Sequence, residues 1–171
     1  MEHFTNNTID IAQLPRFEAV VFQKLQPDYL KVLIINRVII FTIIAVAIGL
    51  ATYFIKEIIT FVPIIWGGFT LFVILSLFVL RISFLKKGFA FREHDVLFKS
   101  GIIAINTIII PYNRVQHVAL HEGWLSRYFG LAQVEIFTAG GSSSDIEIPG
   151  IEKEQAEKIK QLLMGKIQQQ L

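Results

Sequence analysis

The sequence predicts a membrane-anchored α+β protein: a two-helix transmembrane hairpin followed by a small β-barrel that a C-terminal amphipathic helix caps. Three observations predict it. Two long uncharged apolar runs stand close together in the first half, short runs of period two fill the second, and an apolar repeat of three and four residues ends the chain. Of 171 residues, 53% are hydrophobic and 18% charged, more apolar surface than an average soluble domain carries.

The first run, Val38 to Ile55, and the second, Ile58 to Leu80, are each long enough to cross a hydrocarbon core as a helix. Between them Thr60 can cap the second helix and Pro63 can sit in its first turn, where a missing N–H costs little. Tyr53, Phe54, Phe61 and Trp66 bracket that turn as an aromatic belt would at one water–lipid boundary. Lys24, Lys31 and Arg37 precede the first span and Arg81, Lys86, Lys87 and Arg92 follow the second, while the turn holds only Lys56, so both termini are expected in the cytoplasm. Ala45 and Gly49, with Gly67 and Gly68 opposite, are expected to let the two helices approach closely. The stretch through Lys31 lacks the basic start and short apolar core of a cleavable signal, so the anchor is expected to be retained. The expected divisions are a polar segment 1–30, the hairpin 31–82, and the β domain with its helix 83–171.

After Arg81 the runs shorten. Phe89 and Phe91, a turn at Glu93-His94-Asp95, then Val96 and Phe98 before Ser100-Gly101 read as a β-hairpin. Ile102 to Tyr112 is interrupted by Asn106-Thr107 and could be one bulged strand or two arms of a tight turn. Val115, His117, Ala119 and His121 are expected on one face of the next strand, with Gln116, Val118 and Leu120 on the other. Trp124 to Gly130 reads as a short helical connection and Ala132 to Thr138 as a strand. A polar turn then leads from Ala139 to Asp145, and Ile146 to Ile148 forms a last strand that Pro149-Gly150 stops. Ile151, Ala156, Ile159, Leu162, Leu163 and Ile167 mark one apolar face of the final helix. Strands closed by such a helix make a pleckstrin-homology-like architecture.

Particular segments strengthen that expectation. Ile110-Pro111 with Arg114-Val115-Gln116, then Arg127 with Gly130-Leu131-Ala132, Thr138 to Gly140, and Ile148 to Gly150 occur in the order found in the bacterial pleckstrin-homology-like domain of YdbS-type membrane proteins, which the chain resembles over roughly residues 30 to 165. The resemblance implies a multi-pass protein of the bacterial plasma membrane and brings no reaction with it. Many relatives carry a basic turn where this sequence has Ala104-Ile105-Asn106-Thr107, so anionic headgroup binding there is expected to be weakened, and the Glu93-His94-Asp95 turn is acidic, so inositide binding is not expected.

Few residues suggest chemistry. Cysteine is absent, which removes disulfides, thiolate nucleophiles and Cys-ligated metals. His117 and His121 share a strand face but stand about 13 Å apart along it, too far to hold one metal. Ser142 to Ser144 and Asp145 lack the paired base of a nucleophile and fit a solvated turn better. No cofactor, metal or catalytic residue is expected, nor a nucleic-acid partner at a net charge of +2. Candidate partner-binding residues are Arg114, Trp124 and Arg127. The need of a small barrel for large aromatics favours Trp124, Tyr128 and Phe129 as core instead. Lys86, Lys87 and Arg92 are candidate membrane-surface contacts, at about 1 kcal/mol each toward anionic headgroups. The expected role is a non-enzymatic binding module at the inner face of the membrane. Its partner would be another membrane or envelope protein, including a relative with repeated copies of the domain, and the alternative is lipid-headgroup binding.

Overall fold

In the computed structural model of the chain, residues 19–139 and 145–168 are described. The elements follow as α1 (Pro27–Phe54), a 3-10 turn (Lys56–Phe61), α2 (Val62–Lys86), β1 (Gly88–Phe91), β2 (Asp95–Ser100) and β3 (Asn106–Pro111). A second 3-10 turn (Tyr112–Arg114), β4 (Val115–His121), α3 (Trp124–Tyr128), β5 (Leu131–Thr138), β6 (Ile146–Glu152) and α4 (Lys153–Gln168) complete the fold.

Both α1 and α2 are long and apolar enough to cross a membrane. The 28 residues of α1 extend about 42 Å, well beyond a hydrocarbon core of about 30 Å. Its first turns, before Arg37, therefore stand outside the uncharged run. Phe41 locks the pair of helices, meeting Phe69 and Phe72 edge-on at 6.3 and 5.9 Å between ring centroids. Gly49 lets Trp66 approach, whereas Gly67 and Gly68 face open space, so the close contact expected there is absent. Pro63 lies in the first turn of α2 as expected, but Phe61 occupies the cap position and no side chain, Thr60 included, caps the helix.

The β domain consists of two antiparallel sheets, ordered β1-β2-β3 and β4-β5-β6. Among the described residues no strand of one sheet pairs with a strand of the other, so two three-stranded sheets stand where a closed barrel was expected. One core joins them: Val96, Phe98 and Ile110 pack in the same cluster as Val118, Val134, Ile136 and Ile148. Ala156, Ile159 and Leu163 of α4 seal that cluster, at the expected helical spacing. Leu162 is exposed, and Ile151 belongs to β6 rather than to the helix.

Two bulges alter faces that strict alternation assigns. The register shifts between Val115 and His117, which turns Val115 inward with Val118 and away from His117 and His121. A second shift, opposite Ala132 and Val134, absorbs Pro149-Gly150 without ending the strand. There Gly150 takes φ +65°, and a Cβ on it would lie 2.4 Å from the Tyr29 ring. Gly150 is thus where the sheet meets α1. Residues 101–105 form a loop, and Asn106-Thr107 open β3 instead of interrupting a strand. The Ser142 to Ser144 turn lies outside the described residues.

Part of the N-terminal segment belongs to the β domain. Gln23 exchanges backbone hydrogen bonds with Phe89 at 2.8 and 3.0 Å, Leu25 is buried in the core, and the Gln26 N–H donates to the Gly150 carbonyl at 2.9 Å.

Candidate functional site

The end of the β domain nearest the spans is set by chain direction. α2 leaves the uncharged run at Arg81 and continues to Lys86, β1 starts two residues later, and β2 returns to the same end at Ser100. The β2–β3 loop that follows is Gly-Ile-Ile-Ala-Ile. Gly101 holds its sharp turn at φ +112°, with a position for Cβ only 1.9 Å from the Ala104 carbonyl oxygen. Ile103 at the tip is 100% exposed and Ile105 56%. Ile102, Ile103 and Ile105 together make this loop an exposed apolar patch. Its position says what lies near: Ile102 lines a groove of about 380 Å³ with Arg37, Leu75, Val79, Leu80 and Ser83. The loop therefore runs back along α2 to the last turns of the apolar run.

Beside the loop, Lys24, Lys86 and Lys99 line a second cavity, of about 310 Å³, together with Phe22, Leu85 and Ile105. Two of the ammoniums are held in place. Lys24 Nζ donates to the Leu85 carbonyl at 3.1 Å, and Lys99 Nζ lies 5.5 Å from the centre of the Phe22 ring. None of the three meets a carboxylate in an ion pair among the described residues.

The other expected membrane contacts lie elsewhere. Lys87, adjacent in sequence to Lys86, is half-buried and lines a cavity of about 380 Å³ with Phe98, Ile108, Asp145 and Glu147, in the opening between the sheets. Burial there lowers its pKa. Arg92 sits at the opposite end of β1, about 13 Å from Gly88 at strand rise. Its Nε donates to Asp95 Oδ1 at 2.6 Å and Nη2 donates to Asp95 Oδ2. That hydrogen-bonded pairing raises the guanidinium pKa further above its ordinary value. The Arg92 carbonyl accepts from the buried Tyr112 hydroxyl at 2.7 Å, and burial pushes the Tyr112 phenol up to about 12. Arg92 is thus committed to fastening the far turn, and only Lys86 of the expected three stands at the helix exit with its ammonium open.

Arg114, Trp124 and Arg127 do not converge. Arg114 ends the 3-10 turn beside Tyr112, and Trp124 and Arg127 lie beyond the other end of β4, whose seven residues extend roughly 23 Å. Both arginines are exposed, and neither makes a side-chain hydrogen bond or ion pair among the described residues. α3 itself is anchored by Leu125, which packs with Leu131 and Val32 and against Tyr29, Ile35 and Phe129. Trp124 and Tyr128 point away from this contact, 71% and 83% exposed. The core role favoured for them is therefore overturned: Leu125 takes it, and Phe129 is partly buried. These aromatics stand beside the first turns of α1, within three turns of its uncharged run.

β3 forms one edge of its sheet, and Ile108 and Ile109 on it are each 40% exposed. His117 stacks on Phe137, 4.1 Å between centroids, which accounts for it as a packing residue. Among the described residues no group of three His, Cys, Asp or Glu side chains could hold a metal ion.

The bacterial PH domain family model matches residues 29–167, the spans and the β domain together. The chain belongs to the bacterial PH domain family. It is 28% identical over 141 residues to the UPF0699 transmembrane protein YdbS of Bacillus subtilis (strain 168), an alignment covering 80% of this chain and 87% of that protein. No solved structure matches it significantly. The family and this relative place the chain among membrane proteins that carry a PH-like domain, and neither description names an enzyme.

Proposed function

We propose that this bacterial PH-domain protein is a non-enzymatic, multi-pass module with both termini on the cytoplasmic side, whose β domain binds another membrane or envelope protein. The observation that carries the proposal is the open edge of β3 with Ile108 and Ile109 exposed on it. An uncovered apolar edge is a template for a partner's strand, and soluble proteins normally blunt such edges with charge or proline. Fewer than ten residues separate β1 from the uncharged run of α2, so the edge meets partners that are themselves membrane-bound at a high effective concentration. A relative with repeated copies of the domain offers matching strands and is the first candidate. In this reading the two sheets and α4 act as one pleckstrin-homology-like barrel, supported by their common core. Arg114 on one side, and Trp124 with Arg127 on the other, serve as separate contacts.

Photo-crosslinking in the native membrane tests this. A benzophenone amino acid at position 109, 124 or 114 of the full chain, followed by mass spectrometry, is expected to give one recurring protein adduct from position 109. Adducts to lipid alone from all three positions would overturn the protein-partner reading.

A further inference from the structure

We propose that Lys24, Lys86 and Lys99 form a binding site for the phosphate of an anionic phospholipid, whose acyl chains lie along the Ile102–Ile105 loop and the adjoining face of α2. The three lysines line one cavity of about 310 Å³, large enough for a phosphate and its glycerol but not for an extended polyanion. Its walls are divided by chemistry. Lysines form one part, with Lys24 tied to the Leu85 carbonyl and Lys99 resting on the Phe22 ring. Leu85 and Ile105 form the other. A soluble phosphate would leave those apolar walls in water, whereas a lipid covers them with its chains. The same loop carries the fully exposed Ile103, and its Ile102 lines the groove beside Val79 and Leu80, at the end of the uncharged run of α2. Cavity and loop thus sit at the depth where headgroups give way to hydrocarbon. No carboxylate lines the cavity, so an entering anion meets no opposing charge there. No residue lining the cavity lies on β3, so either site can fail while the other holds.

The full chain, purified in detergent and incorporated into nanodiscs of phosphatidylcholine with a minor fraction of phosphatidylglycerol, supplies the test. Lipid released from the protein after detergent extraction is counted by mass spectrometry. Phosphatidylglycerol is expected to be retained over phosphatidylcholine by roughly a hundredfold, from about one interaction's worth per lysine. The K24Q/K86Q/K99Q variant should lose that preference, K86Q alone should lose part of it, and K158Q/K160Q on the exposed side of α4 should keep it. Unchanged retention by the triple variant would overturn the site. So would displacement of the lipid by millimolar inorganic phosphate, which would make the cavity a soluble-phosphate site. Melting curves of the variants, expected to match the parent, separate loss of the site from loss of fold.

Discussion

The two ends of the first sheet are built to opposite rules. At the far end, the β1–β2 turn closes on itself: the Arg92 N–H donates to the Asp95 carbonyl at 2.9 Å, the Arg92 side chain grips Asp95, and Tyr112 donates to the Arg92 carbonyl. Every polar group named there has a partner within the chain. At the near end the loop exposes isoleucine, and three lysines share a cavity without a carboxylate. Folding alone selects the first arrangement, because partly buried polar groups left unpaired and bare apolar ones each cost free energy. The second arrangement makes sense beside a bilayer, which supplies both the hydrocarbon and the phosphates. In the proposed reading, an element that looks poorly built in water is one that faces the bilayer.

Four substitutions would break or sharpen this contrast. The largest effect is expected at the junction of sheet and α1, from Gly150→Ala: left-handed strain and overlap with the Tyr29 ring together cost about 2–5 kcal/mol, measured by denaturant unfolding. At the far end, Asp95→Ala leaves the partly buried Arg92 guanidinium unpaired and should cost about 1–3 kcal/mol, equally in zwitterionic and anionic bilayers. Tyr112→Phe should cost about 0.5–1.5 kcal/mol through one lost hydrogen bond, and it carries a pH signature. The phenol is raised from 10.0 to about 12 in the folded chain, so the native state binds its proton more tightly than the unfolded chain does. The associated stability is complete below pH 10 and disappears as pH rises through 12. The phenylalanine variant should lack that alkaline component in melting curves recorded across this range. The smallest change in stability is expected from Ile103→Asp at the near end, within about 0.5 kcal/mol in detergent because the side chain packs on nothing. Its effect should appear instead as a loosened domain in reconstituted bilayers, visible as faster proteolysis of the β domain.

Much of the fold was legible from residue patterns. Uncharged runs of spanning length announced α1 and α2, period-two alternation placed β1, β2 and β5, and the helical repeat of Ala156, Ile159 and Leu163 placed α4. The failures have a common physical source in local departures from a regular period. A bulge after Val115 reversed its face, and another let β6 run through the Pro149-Gly150 pair that was expected to stop it. The candidate site was less legible still. Lys24, Lys86 and Lys99 lie on the N-terminal segment, the end of α2 and β2, so no spacing connects them before folding. Trp124 and Tyr128 misled for a different reason: large aromatics usually fill small cores, but here Leu125 occupies that place and leaves them outside.

Whether the near end of the β domain is seated in the bilayer can be measured with one pair of labels. Because the chain contains no cysteine, Ile103→Cys and His94→Cys each accept a single nitroxide, one at each end of the first sheet. Power-saturation spectroscopy in reconstituted bilayers compares collisions with oxygen, which concentrates in hydrocarbon, against those with a polar nickel chelate. The expected result is a label at 103 that is relaxed by oxygen and shielded from nickel, and a label at 94 that shows the reverse. Equal access of nickel to both labels would contradict it.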